Sequence, residues 1–318
     1  MTYLITTVIL IISELVYFRI AKHYNIVDKP NLRSSHSFET IRGGGIVYWV
    51  AAVLYFIFNF HSHSLWFLGG LTLIGFISLW DDISGLSQRI RFLFQLIAMT
   101  FIFYFTNVFD FFPWWFVVIG YFFFVGIVNA YNFMDGINGI TGLYSIAVLL
   151  PLLYINIYVT PFVENEFIIY PLIASVVFLF FNFRKNARCF AGDVGNMSIA
   201  FWIVTLLLIL IIKTNNKIWI GFLFVYGVDT ALTIIHRIYL KQNIFEAHRL
   251  HFYQILANEK NVSHQTVSLF YFVAQLVCTG MIIVFCPIIG WWIVGIIFLI
   301  LTSIYLLKFK WMKQKTNQ

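Results

Sequence analysis

The sequence predicts an all-α protein, a polytopic membrane bundle of about 11 helices, and three observations carry that expectation. Of the 318 residues, 61% are hydrophobic and only 10% are charged, with a mean hydropathy of +0.88, well outside the range of soluble domains. Apolar runs recur along the whole chain at close to the roughly 20 residues that a membrane span needs. Nearly every acidic and cationic residue falls between those runs.

In chain order the runs lie near residues 2–21, 44–60, 65–80, 90–107, 113–130 and 139–160. They continue near 167–183, 195–213, 217–235, 265–286 and 289–307. Loops after the odd-numbered runs, with the C-terminal tail, hold seventeen Lys or Arg, whereas the opposite loops hold two, Lys213 and Lys217. Such a bias orients spans with the basic loops inside, so the N-terminus is expected outside and the tail in the cytoplasm. The net charge of +7 is then mostly a topology signal, and no nucleic-acid partner is expected. The first run lacks a preceding basic residue and a small-x-small ending, so it reads as a retained helix rather than a cleaved signal. Cys189, Cys278 and Cys286 are too scattered for a disulfide framework or metal-ligand spacing. No repeat divides the chain, which reads as a single integral-membrane domain, 1–318.

The chemistry lies in the loops of one side. Asp81 and Asp82 close the third run, just before Gly85 and the Arg89/Arg91 pair. Adjacent carboxylates repel each other and are costly near hydrocarbon, about 2.5–3.5 kcal/mol per Asp at mid-membrane. A cation or a polar interface lowers that cost, so the pair reads as a metal ligand or general base beside a phosphate, or else as a solvated helix end. Asn129, Asn132 and Asp135 recur every third residue and share one helix face if the helix continues. Gly136 and Gly139 after them permit a sharp turn or a close approach to a ligand. Asp193, in Phe190-Ala-Gly-Asp-Val-Gly195, opens the eighth run, where it suits either a helix cap or a magnesium ligand. His248 and His251, three apart, face one way on a short helix; the third ligand of zinc-binding spacing is absent, and the pair suits hydrogen bonding to a diphosphate. Arg42, followed by Gly43-Gly44-Gly45 at the start of the second run, forms an anion-friendly turn.

Together these segments resemble the polyprenyl-phosphate N-acetylhexosamine-1-phosphate transferases, glycosyltransferase family 4. The matching pieces are Asp28-x-Pro-Asn-x-Arg-Ser-Ser-His36, Arg42-Gly-Gly-Gly45 and Asp81-Asp82-x-x-Gly-Leu-Ser-x-x-x-Arg91-Phe-Leu-x-Gln95. They continue with Asn129-x-x-Asn-Phe-Met-Asp-Gly136, Gly192-Asp-Val-Gly195 and Ala247-His-Arg-x-His-x-Tyr-Gln254, in family order. The first-loop pattern most resembles the branch that initiates O-antigen or capsule repeat units.

The resemblance implies a magnesium-dependent enzyme of the bacterial plasma membrane, with its active site facing the cytoplasm. Such an enzyme transfers a sugar 1-phosphate from a UDP-N-acetylhexosamine to undecaprenyl phosphate and releases UMP. It also implies roles. Asp193 would ligate Mg2+, while Asp81 and Asp82 would activate the lipid phosphate or hold metal. Asn132 and Asp135 would shape the nucleotide and diphosphate site, with Asn129 and Arg42 beside them, and His248 and His251 would contact the diphosphate. A homodimer is left open. The chain departs from the family pattern at Asn138, where an Asp is usual, at Glu39-Thr-Ile-Arg42 in place of Pro-Thr-Pro-Arg, and at Asn196 in place of Ser. Asn138 can still hydrogen-bond a nucleotide or a metal-bound water. Two other classes stay open: a secondary transporter using the intramembrane acids Glu14 and Asp229, and an inactive scaffold of the same fold.

Overall fold

The computed structural model describes residues 1–28, 39–244 and 248–312. Residues 29–38 of the first-loop motif, Glu246, Ala247 and the basic tail beyond residue 312 lie outside the described residues. Eleven long helices stand close to the predicted runs: α1 (Thr2–His23), α2 (Val47–Phe58), α3 (Ser64–Ser84), α4 (Gln88–Phe105), α5 (Trp114–Met134) and α6 (Ile140–Tyr158). Then follow α7 (Glu166–Asn182), α8 (Gly192–Thr214), α9 (Phe224–Tyr239), α10 (His264–Ile289) and α11 (Trp292–Met312).

Among the described residues, eight segments are long and apolar enough to cross a membrane: α1, α3, α5, α6, α8, α10, α11 and the run Lys217–Tyr239 that ends in α9. Gly44–Phe58 and α7 are shorter apolar helices, and α4 carries Arg89 and Arg91 in its first turn. The protein is therefore an all-α polytopic membrane protein. Large apolar side chains such as Phe122, Tyr239 and Trp292 remain exposed on the bundle surface, as a hydrocarbon solvent allows.

The bundle is built around α8. Its sequence is apolar on every side, which suits a helix with no solvent face, and nearly every residue from Gly192 to Ile211 is buried. It packs against α3 and α5 on two sides and touches α2, α6 and α7. One contact shows how helices this apolar acquire register. Pro171 interrupts α7 and has no N–H to offer the carbonyl one turn back, at Phe167. The indole N–H of Trp202 from α8 donates to that carbonyl at 2.9 Å. Trp202→Phe removes one ring of the buried indole and strands the Phe167 oxygen, so it should lower stability by at least about 1–3 kcal/mol. Thermal unfolding in detergent measures this, and an unchanged midpoint would show that the carbonyl finds another donor.

The only strands among the described residues are two-residue pieces, Val27–Asp28 and Thr40–Ile41, paired antiparallel. They matter because Ile41 also bridges to Cys189. From there the chain is laced to the start of α8: Phe190 N–H donates to the Ile41 carbonyl, Gly44 N–H to Phe190 and Gly45 N–H to Ala191, at 2.8, 2.8 and 3.0 Å.

Candidate functional site

That lacing delivers Arg42 to the first turn of α8. Gly43 is held at φ +84°, in the left-handed region that favours glycine. A Cβ on Gly45 would stand 2.2 Å from the Gly195 Cα, so two backbones meet where neither position has room for a side chain. At Gly192, φ is +68° and a Cβ would lie 2.6 Å from Asp82 Oδ2.

Asp82, at the end of α3, uses this space. Its carboxylate accepts the backbone N–H of Asp193 at 3.0 Å and of Val194 at 3.2 Å. Those are two of the four N–H groups that a helix start leaves without partners, and an anion there also meets the positive end of the helix dipole. The N-cap position is Ala191, which has no side-chain acceptor, and Asp193 lies inside the first turn, so α8 is capped not by Asp193 but by a residue more than a hundred positions away. Arg42 Nε approaches Asp82 Oδ1 at 2.7 Å and Arg42 Nη2 reaches Asp193 Oδ1 at 3.6 Å. On the other side Arg91 Nη1 meets Asp81 Oδ2 at 2.9 Å and Nη2 meets Asp193 Oδ2 at 3.2 Å. The second oxygen of Asp81 accepts Leu86 N–H at 2.6 Å.

Three carboxylates thus interlock with two guanidiniums, and Asp193 is the member that both arginines touch. Burial works against the charge of Arg42, but the carboxylates of Asp82, Asp193 and Asp28 outweigh it and hold the guanidinium above its ordinary value. Arg91 occupies the first turn of α4, where the helix dipole disfavours a cation. Its placement is explained by the two carboxylates it bridges.

A second polar row runs beside this cluster. Asn132 Nδ2 donates to Asn196 Oδ1 at 3.4 Å, and Asn196 Nδ2 donates to Asp135 Oδ2 at 3.4 Å. Thr141 donates to Asp135 Oδ1 at 2.5 Å. Burial pushes the Asp135 carboxyl up to about 6, against the pull of the Thr141 and Asn196 hydrogen bonds and with a further push from the Asp193 charge. One turn back, Asn129 Nδ2 donates to Gln95 Oε1 of α4 at 3.0 Å. The period-three face expected of Asn129, Asn132 and Asp135 is therefore present and is used pairwise.

Asn138 is placed differently from the expectation. Its side-chain amide donates to the carbonyls of Arg184 and Lys185 at 2.8 and 3.2 Å, and its own carbonyl accepts from Ser268. Both side-chain protons are thus turned to the loop before α8 rather than towards a substrate. Asn138→Asp would aim a carboxylate at two carbonyl oxygens, so it should destabilise the protein by about 1–3 kcal/mol. A thermal midpoint equal to that of the unchanged protein would mean the side chain is free to turn elsewhere.

His251 and His248 stand together, with ring centroids 4.9 Å apart. His251 is 2% exposed, and its Nδ1 faces Asp229 Oδ1 at 3.3 Å. Tyr253 donates to the Phe133 carbonyl at 2.9 Å, tying this loop to the end of α5 that carries Asn132. Burial, then the neighbouring His251 and Arg237, pushes His248 down to about 3, which keeps that ring neutral.

Residues absent from the sequence-level site are Arg91, Asn196, Gln95 and Thr141. Arg91 and Gln95 stand in the motif after Asp81-Asp82, but nothing in one sequence says which carboxylate a distant cation will meet. The intramembrane acids both serve this end of the bundle. Glu14 accepts the Cys189 thiol at 3.4 Å behind Gly44, and Asp229 holds the His251 loop. Burial and Glu14 push the Cys189 thiol well up, so it is no nucleophile at neutral pH.

The sequence model of "Glycosyl transferase family 4" matches residues 64–211, a stretch that holds Asp81, Asp82, Asn132, Asp135 and Asp193. The "Probable undecaprenyl-phosphate N-acetylglucosaminyl 1-phosphate transferase" of Bacillus subtilis (strain 168) is 27% identical over 266 residues, covering 78% of this chain and 74% of the relative. The "Undecaprenyl-phosphate alpha-N-acetylglucosaminyl 1-phosphate transferase" of Escherichia coli (strain K12) is 24% identical over 330 residues, covering 95% and 88%. A protein of the same name from Shigella flexneri is similar to the same degree.

Proposed function

We propose that this chain, a member of glycosyl transferase family 4, transfers an N-acetylhexosamine 1-phosphate from a UDP-sugar to undecaprenyl phosphate. The observation that carries the reading is the Asp81–Asp82–Asp193 cluster, interleaved with Arg42 and Arg91 at the N-terminus of the most buried helix. A lipid tail fits the apolar surface of such a bundle, and its phosphate can meet a water-borne nucleotide at that end. The basic loops support a cytoplasmic site in a bacterial plasma membrane. The first-loop motif supports a role in starting O-antigen or capsule units.

In the reaction an oxygen of the lipid phosphate bonds to the sugar-linked phosphorus. The bridging P–O bond breaks and UMP leaves. The chain's residues position and neutralise. Arg42 and Arg91 hold phosphate oxygens as fixed cations. Asn132, Asn196 and Asp135 line the adjoining polar row, and His248 and His251 meet the diphosphate.

Among the described residues no group of three or more His, Cys, Asp or Glu side chains is arranged to enclose an ion unaided. Magnesium needs no such cage, since it usually takes one or two carboxylates and completes its shell with phosphate oxygens and water. Asp193, with Asp82 and Asp81 crowded beside it, offers hard oxygen donors of that kind, and Asp193 would be the principal ligand. When bound, the ion supplies neutralisation of the diphosphate and of the charge moving onto UMP.

The test is label transfer. Purified protein given undecaprenyl phosphate, magnesium and UDP-N-acetylhexosamines carrying a radiolabelled sugar should move label into the lipid fraction and release UMP. Absence of label with every donor would overturn the reading and leave a scaffold or transporter. The same assay reads pH dependence. The Asp135 carboxyl is protonated below about 6 and ionised above, so turnover should rise through that pH and level off. An acid limb that survives unchanged in Asp135→Asn would assign it to another group.

A further inference from the structure

Asp229 is a carboxylate inside an apolar span, 4% exposed, with no place in the reaction described so far. Its oxygens are fully occupied. Oδ1 accepts the Phe252 N–H at 3.0 Å and the Thr233 hydroxyl at 3.2 Å, and lies 3.3 Å from His251 Nδ1. Oδ2 accepts the Tyr271 hydroxyl at 2.6 Å. Because an ionised carboxylate only accepts, His251 Nδ1 must carry the shared proton, which fixes the tautomer. The other ring nitrogen, Nε2, is buried and has no hydrogen-bond partner among the described residues. Buried polar atoms in folded proteins are nearly always paired, so an unpaired one on a locked ring marks a place for a ligand.

The loop is locked from behind as well. Lys308 of α11, itself fully buried, donates to the Leu250 carbonyl at 2.6 Å and also contacts the Tyr305 hydroxyl. Tyr305 in turn pairs with Thr233 at 2.9 Å. The His251 ring lies 6.4 Å, centroid to centroid, from Phe133, the neighbour of Asn132. The free nitrogen therefore belongs to the end of the bundle where Asp135 and Asp193 stand.

We propose that Asp229 is a positioning residue, which orients His251 so that Nε2 meets an anionic oxygen of the donor's diphosphate. This rests on the transferase reading above. A carboxylate on one imidazole nitrogen fixes the ring and balances the charge it gains when the other nitrogen binds an anion, as outer partners of ligand-binding histidines do. No bond is made or broken in this contact.

The test is a double-mutant cycle on the full-length protein, with donor and acceptor varied separately. Asp229→Asn and His251→Ala should each lower kcat/KM for the UDP-sugar roughly 10–100-fold, the range seen for such outer partners, and leave the KM for undecaprenyl phosphate unchanged. In the His251→Ala background Asp229→Asn should cost almost nothing more, because the residue it acts through is gone. Undiminished loss in that background, or a loss confined to the acceptor KM, would overturn the proposal. Tyr271→Phe removes one donor to the carboxylate and serves if the Asn variant does not fold. It should give a smaller, donor-selective loss that disappears with His251→Ala, and a loss that persists there counts against the proposal. An inactive wild type fails the transferase reading, whereas an active wild type with an additive cycle fails only the role of Asp229.

Discussion

Asp193→Asn should give a folded, inserted protein whose sugar-phosphate transfer falls at least about 100-fold, the scale of losing a preorganised charge at a reacting phosphate. The amide keeps the shape of the side chain and loses its charge. Arg42 at 3.6 Å and Arg91 at 3.2 Å then face a neutral oxygen or an N–H group, and a hard cation loses its principal donor. Transfer measured over a magnesium series separates the two consequences. A variant that regains rate at high magnesium has lost affinity for the ion, and one that stays slow has lost the arrangement of the arginines. Full activity in the Asn variant would remove Asp193 from the mechanism, and full activity in excess chelator would remove magnesium.

Gly195→Ala should be nearly as damaging, for a steric reason. Its Cβ would stand 2.5 Å from the Gly45 Cα, so the start of α2 and the first turn of α8 must move apart. Arg42 is carried on the same turn as Gly45, so the displacement reaches the Arg42–Asp193 pair directly. Forcing atoms into a packed contact costs about 1–3 kcal/mol of stability, and a misplacement near 1 Å at a reacting centre costs about 100-fold in rate. Gly126→Ala in α5 is the control, since a Cβ there meets nothing within 4 Å. Equal transfer rates in the two variants would show that the glycine contact does not set the spacing of the site.

How much of this was legible in the sequence depends on the range of the interaction concerned. Run length, hydropathy and loop charge are local properties. They place the eleven long helices of the described residues close to where they stand, although Gly44–Phe58, which contains α2, and α7 are shorter apolar helices. The three-residue spacing of Asn129, Asn132 and Asp135 likewise needs only the helix period. Asp81, Asp82 and Asp193 could be expected at one end because successive spans alternate in direction.

Tertiary structure alone decided what those groups touch. Asp82 caps a helix that begins more than a hundred residues later, Arg91 sits in an unfavourable first-turn position of α4 to bridge two carboxylates, and Asn138 turns to the loop before α8. Glu14 and Asp229, which sequence reasoning offered to a transport path, instead secure the loops carrying Arg42 and His251. Each of these is a pairing between distant segments, chosen by which polar group lies within hydrogen-bonding reach once apolar packing has set the helix positions. A single chain written in order contains the partners but not their distances. The membrane makes the outcome strict, because a polar group left unpaired there has no water to turn to.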